Sequence, residues 1–245
     1  MEPTVLSSGF RYTSLPESYV RPETDRPKLS EVWELENVPV IDLGCGNRSL
    51  ISQQIGDACR DFGFFQVINH GVSTEAAARM QEVAREFFRL PVEEKMKLYS
   101  DDPSRTMRLS TSFNVTKEQV HNWRDYLRLH CHPLDKYTPE WPSNPSSFKP
   151  EQVEIEYWAC LGAFTALSNG KYKSVWHRAT VNADQARMSI ASFLCPHDDA
   201  TISAPEKLSN DGSQAVYRNF TYTEYYKKFW SRNLDQEHCL ELFKN

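Results

Sequence analysis

The sequence predicts an α+β fold, and three observations carry that reading. Apolar residues at helical spacing share the first hundred residues with two short strand-like runs. Strand-like text then dominates from 108 to 134 and again from 172 to 194. An aromatic, helical tail closes the chain.

Taken in order, residues 1–37 are Pro-rich and polar and read as an extended lead-in. VPVIDL, Val38 to Leu43, reads as a short buried strand stopped by Gly44 and Gly46. Leu50, Ile51, Ile55, Ala58 and Cys59 recur at helical spacing and predict a helix over Ser49 to Arg60. Phe62 to Asn69 is strand-like, and His70-Gly71 turns the chain. Thr74 to Phe88 predicts a helix whose apolar face is Met80, Val83, Ala84, Phe87 and Phe88, with Pro91 at its end. Val92 to Tyr99 continues as a short helix, and LSTSFNV and WRDYLRLHCHPL alternate in part. The Pro/Ser/Asn stretch from Pro139 to Pro150 is a loop by composition. Residues 151–167 yield no clean element, although Val153, Ile155 and Tyr157 alternate. Ser168-Asn169-Gly170 is a turn signal, YKSVWHRATV a strand, NADQ a polar turn and ARMSIASFL a second strand. After Asp211-Gly212, the run YRNFTYTEYYKKFW opens the helical tail, and Leu234, Cys239, Leu240, Leu242 and Phe243 give it an apolar stripe.

The bulk numbers exclude several classes. With 245 residues, 40% hydrophobic and 25% charged, the composition is that of an ordinary globular protein. A net charge of −5 gives no electrostatic reason to expect nucleic acid or an anionic membrane, and no run of residues is apolar enough to span a bilayer. The first residues lack a basic region followed by an apolar run, so no secretory signal is expected. Six scattered cysteines form no Cys-x-x-Cys pair, which argues against a zinc site and for reduced thiols in the cytosol, the expected compartment.

The chemistry-bearing stretch is SVWHRATVNADQARMS, in which His177 precedes Arg187 by ten positions and Ser189 by twelve. On a strand alternate side chains share a face, so Arg187, Ser189, Ala191 and Phe193 would point one way, and His177, Ala179 and Val181 would share a face of their own. A guanidinium fork grips a carboxylate in two places, a nearby hydroxyl donates a further hydrogen bond, and a neutral imidazole suits Fe(II). Read without context, an isolated strand histidine is more often structural than ligating, and Arg-x-Ser is common.

The long stretches ACRDFGFFQVINHGV, EFFRLPVEEKMKLYSDDP, RLSTSFNV, NWRDYLRLHCHPL, LSNGKYKSVWHRATVN, RMSIASFLCP and YTEYYKKFWSRNLDQEHCLELFKN resemble plant 2-oxoglutarate- and Fe(II)-dependent dioxygenases. The resemblance is to the group with flavanone hydroxylase-like and downy-mildew-resistance, salicylate-hydroxylating members. It implies a double-stranded β-helix core (jelly-roll, cupin-like) between an N-terminal α/β region and C-terminal helices. It also implies an N-terminal family region over 1–150 and the C-terminal part of the oxygenase domain over 151–245. By resemblance His177 is the distal iron ligand, Arg187 and Ser189 bind 2-oxoglutarate, and Phe193, Ser112, Phe113 and Asn114 line the pocket of a small aromatic substrate. Fe(II) and the cosubstrate 2-oxoglutarate are the implied cofactors, with ascorbate a candidate accessory reductant. The parent reaction is hydroxylation of a salicylate- or flavonoid-type phenolic.

One block of the pattern is missing. The family carries an Asn-Tyr-Tyr-Pro-type motif and a His-Thr-Asp, the other two iron ligands, between WPSNP and LSNGKYKSVWH; here residues 151–167 stand instead. His197-Asp198-Asp199 fits the letters but falls downstream of His177 after Pro196, and reads as an acidic turn. His70, His130 and His132 read as structural. Two functional expectations therefore stand: an oxygenase of this family, or a catalytically inactive splice or truncation product that at most binds ligand. The incomplete barrel is expected to leave unpaired strand edges and uncovered apolar faces.

Overall fold

A computed structural model describes residues 6–8, 12–26, 38–148, 161–175, 177, 179, 181, 184–209, 215–231 and 238–245. In chain order the elements are β1 (Val40–Asp42), α1 (Arg48–Asp61), β2 (Gln66–Ile68), α2 (Thr74–Arg89), α3 (Val92–Met96), β3 (Arg108–Thr111), β4 (Asp125–Arg128), α4 (Leu134–Tyr137), α5 (Leu161–Leu167), β5 (Thr201–Ile202), α6 (Glu206–Ser209), β6 (Phe220–Thr221) and α7 (Tyr222–Ser231). The chain forms two compact units. The first holds the described residues of Met1–Val32, Ser73–Ile155 and Val181–Ile190. The second holds those of Trp33–Val72, Glu156–Thr180 and Ala191–Asn245.

The first unit is a helix packed on a hairpin. Ser73 starts α2 because its hydroxyl accepts the Ala76 N–H at 3.0 Å. Val83 and Phe87, one turn apart, are the buried residues of that helix. β3 pairs antiparallel with β4, setting Arg108 opposite Arg128, Leu109 opposite Leu127 and Ser110 opposite Tyr126. Pleating therefore sends Leu109 and Leu127 to one face, where they join Val83, Phe87 and Phe148. Phe87 meets Phe148 edge-on at 5.5 Å. The N-terminal turn at Leu6–Ser8 is tied down from two sides. The Asp125 carboxylate accepts the N–H groups of Leu6 (3.0 Å) and Ser7 (2.6 Å). The fully buried Lys95 ammonium donates to the Phe88 carbonyl (2.7 Å), to the Ser7 hydroxyl (3.1 Å) and to the Ser7 carbonyl.

In the second unit β1 and β2 run parallel with α1 as their crossover, capped by Asn47, whose side chain accepts the Leu50 N–H at 3.1 Å. Gly63 sits at φ +76, and a Cβ there would lie 2.7 Å from Val175 Cγ1. α5 ends in paired bonds, Gly170 N–H to the Thr165 carbonyl (2.8 Å) and Asn169 N–H to Ala166 (3.0 Å), with both Asn169 and Gly170 at positive φ. The turn signal at 168–170 is thus a helix C-cap. α7 opens with a reciprocal cap: Glu224 accepts the Thr221 N–H (2.8 Å) while the Thr221 hydroxyl accepts that of Glu224 (3.2 Å). Ala166, Ile202, Phe220, Tyr222, Tyr225, Cys239, Leu240 and Phe243 form the core of this unit.

Two strand expectations differ from the structure. The described residues of 172–181 and 186–194 form no strand. Extended backbone becomes a strand only where a neighbour takes its N–H and C=O groups. The described strands pair only as β1–β2, β3–β4 and β5–β6, with none left over to receive these runs. The ambiguous segment 151–167 ends in α5, while residues 151–160, Asp211-Gly212 and Leu234 lie outside the described residues. No described helix is long and apolar enough to cross a membrane.

Candidate functional site

His177 is exposed, and its Nδ1 lies 3.0 Å from the Val175 carbonyl. A carbonyl only accepts, so Nδ1 carries the hydrogen and Nε2 of the neutral ring keeps its lone pair. That is the tautomer a metal-binding imidazole needs. Arg187 and Ser189 are exposed as well, in the first unit and outside any helix or strand. Phe193, in the second unit with His177, is 64% exposed. Among the described residues, no three His, Cys, Asp or Glu side chains come together in a way that could hold a metal ion. The residues described do not fit an iron centre.

Ser112, Phe113 and Asn114 follow the β3 strand and start a loop that returns through Arg124. Ser112 has φ +57 and is fully buried. Its hydroxyl donates to Glu118 and accepts the Asn122 N–H at 2.6 Å, and its carbonyl accepts two bonds from Arg124 at 3.2 Å. Phe113 is buried, and the Asn114 carbonyl accepts the N–H groups of Lys117 and Glu118. Ser112 is therefore the internal tie of this loop, its hydroxyl engaged on both sides.

The other histidines have local partners. Nδ1 of His70 accepts the Val72 N–H at 3.1 Å, and the His130 ring packs edge-on against Tyr137 at 5.2 Å. His197 begins a turn closed by Ala200 N–H to its carbonyl at 2.9 Å, as its letters predict. Burial raises the thiol pKa of Cys59 and Cys131.

The structure also singles out residues that the reading of the letters passed over. Leu109 and Leu127 face the core, so Arg108, Ser110, Tyr126 and Arg128 share the opposite face of the hairpin. The signal lay in the alternation of RLST and DYLR, weak because each strand has only four residues.

Residues 38–151 match the family described as the N-terminal region of the non-haem dioxygenase in morphine synthesis. The chain is 45% identical to Protein DOWNY MILDEW RESISTANCE 6 of Arabidopsis thaliana across 100% of both chains. It is 44% identical to Flavanone 3-dioxygenase 2 of Oryza sativa subsp. japonica across 98% of this chain and 97% of that one. The chain belongs to the plant 2-oxoglutarate- and Fe(II)-dependent dioxygenases. Its fold resembles that in the crystal structure of JOX2 in complex with 2OG, Fe and JA, with a TM-score of 0.77 at 22% identity, covering 100% of this chain and 98% of that one. Alignment of this oxygenase-family chain with the Arabidopsis relative spans 340 positions against its 245 residues, so at least 95 positions face no residue here.

Proposed function

We propose that this chain derives from a hydroxylase of small phenolic molecules and that, in the form its sequence gives, it does not turn over. The observation that carries the reading is the length of the alignment. The match runs over the whole of both chains, yet at least 95 aligned positions face no residue in this one. The sequence departs from the family pattern at 151–167, upstream of His177, where the first iron histidine and the carboxylate belong. A facial triad needs three protein ligands. One imidazole does not replace it, so no oxygen chemistry is routed through these residues.

The retained parts keep their binding chemistry. Arg187 supplies a permanently charged fork and Ser189 a hydroxyl for the distal carboxylate of 2-oxoglutarate. His177 offers Nε2, and Phe193, Phe113, Ser112 and Asn114 belong to the aromatic-substrate side. Residues 1–150 are the family's N-terminal region and 151–245 a shortened jelly-roll domain in the cytosol. The shortening is an exon omitted by splicing or by the gene model, and mass spectrometry of a peptide spanning 151–167 reads the junction directly.

Anaerobic Fe(II) titration in the presence of 2-oxoglutarate, followed by succinate release with salicylate or naringenin, tests the reading. The expected result is no stoichiometric iron binding and no succinate above the blank, unchanged in His177→Ala. Turnover that disappears in His177→Ala would overturn it.

A further inference from the structure

We propose that Asn169 is a self-modification site. Its amide is lost as ammonia through a cyclic imide formed with Gly170, at a rate set by opening of the α5 C-cap, and the isoaspartate left behind unties α5 from the run at 215–218. Neither iron nor 2-oxoglutarate enters this chemistry, so it stands apart from the function proposed above.

Asn169-Gly170 is the single Asn-Gly dipeptide of the chain. The backbone nitrogen after an asparagine reaches the side-chain Cγ through a five-membered ring, and glycine, without a Cβ, leaves that nitrogen least hindered. Asn169 and Gly170 hold φ of +52 and +82, as the helix C-cap requires. Gly170 is exposed, and a Cβ built on it would meet nothing within 4 Å, so the ring and an attacking water both have room. The reaction needs no partner beyond water. The Gly170 nitrogen gives its proton to water and bonds to Cγ, the Cγ–Nδ2 bond breaks, and ammonia leaves. Water then opens the imide at Cγ to give aspartate, or at the main-chain carbonyl of residue 169 to give isoaspartate, in which Cβ and Cγ have entered the backbone. Nothing is oxidised or reduced.

The native cap holds the reacting groups apart from one another. The Gly170 N–H donates to the Thr165 carbonyl at 2.8 Å, the Asn169 N–H to the Ala166 carbonyl at 3.0 Å, and Oδ1 of Asn169 accepts the Val216 N–H at 2.8 Å. Nucleophile and amide are thus both engaged elsewhere, and the reaction runs from a locally opened cap. Each such bond is worth about a factor of two to ten, so the three together slow the native chain by roughly tenfold to a thousandfold against the unfolded one. The product matters because of what Asn169 holds. Val216, tied to it, accepts the Asn245 N–H at 3.0 Å, the Ala215 carbonyl accepts Nδ2 of Asn245 at 2.7 Å, and the Arg218 N–H donates to the Phe243 carbonyl at 2.8 Å. A lengthened backbone at 169 breaks the paired cap bonds, and a new carboxylate at the end of α5 meets the negative end of the helix.

Mass spectrometry of the digested full chain tests the assignment after incubation in mildly alkaline heavy-oxygen water, in native buffer, in rising sub-denaturing urea and in fully denaturing urea. Imide hydrolysis writes a solvent oxygen into residue 169 and so marks the route. The native rate is expected to lie roughly tenfold to a thousandfold below the denatured one and to climb with urea before the global transition. In the isoaspartate fraction the amides of Val216, Arg218 and Asn245 are expected to exchange hydrogen faster than in Asn169→Asp, which has the charge without the lengthened backbone. A native rate within about threefold of the denatured one, or one that stays flat in urea until global unfolding, overturns the proposal. So does conversion at Asn169 no faster than at Asn114 in denaturing urea, or exchange in the isoaspartate fraction no faster than in Asn169→Asp.

Discussion

Lys95 offers the sharpest test of how the first unit is held together. Its ammonium is fully buried and donates to the Phe88 carbonyl and to both oxygens of Ser7, while Asp125 receives the N–H groups of Leu6 and Ser7. Lys95→Met keeps the stem and removes the three donors. Two half-buried carbonyls then lose their partner at about 1–3 kcal/mol each, and relief from burying a charge returns part of that. A net destabilisation of about 2–4 kcal/mol is expected in urea melts followed by circular dichroism at pH 7. The pH dependence carries a sign. Desolvation pulls the lysine below its ordinary value of 10.5, with Asp125 opposing. Between the lowered native value and 10.5 the unfolded chain binds more protons than the native one, so this group's contribution rises with pH. Methionine has no such contribution, so the gap between parent and variant should widen from pH 7 towards pH 10. A gap that stays flat or narrows, or a variant as stable as the parent at pH 7, refutes the reasoning.

Phe87→Ala empties the centre of the same core, where the ring is fully buried against Phe88 and Phe148, and should cost about 3–5 kcal/mol in denaturant melts. Gly63→Ala forces a side chain into φ +76 and against Val175 and the Lys173 carbonyl, and should destabilise the second unit by at least about 2 kcal/mol. In timed alkylation read by mass spectrometry, the exposed Cys45 and Cys195 should react first, and the buried Cys59 and Cys239 only on unfolding. Modification of Cys59 at the rate of Cys45 in native buffer would contradict its burial.

What the letters disclosed follows from how local each signal is. The α1 and α2 helices are specified within their own turns, by Asn47 and Ser73 at the caps and by apolar residues three and four apart, and their observed bounds fall within one residue of the expected ones. The β1 and β2 strands were legible in the apolar runs VPVIDL and FGFFQVIN, whereas their parallel pairing across α1 is a finding of the structure. The α5 helix was not, because the alternation of Val153, Ile155 and Tyr157 points away from a helix while LGAFTAL supplies one only at the end of that stretch. Buried polar groups left no trace in the pattern. Lys95 reads as a surface residue in VEEKM, and Arg108 as an ordinary strand-edge charge, until the chain folds over them.

The same contrast explains what became of the runs around the candidate site. A helix satisfies its own backbone, so it survives the loss of distant sequence, but a barrel strand exists only by virtue of its neighbours. YKSVWHRATV and ARMSIASFL have the composition of barrel strands, and relatives align across at least 95 positions that this chain lacks. Among the described residues no strand pairs with these runs, and several of their apolar side chains face water. Val181 is 67% exposed, Phe193 64% and Leu194 58%, against 2% or less for Phe220, Leu240 and Phe243 in the core of the second unit. Local order is thus kept by helix caps and two aromatic cores, while Arg187 and Ser189 lie outside the strands formed among the described residues. A carboxylate clamp depends on fixed geometry, so cosubstrate affinity should suffer from the missing strands even though both clamp residues are still encoded.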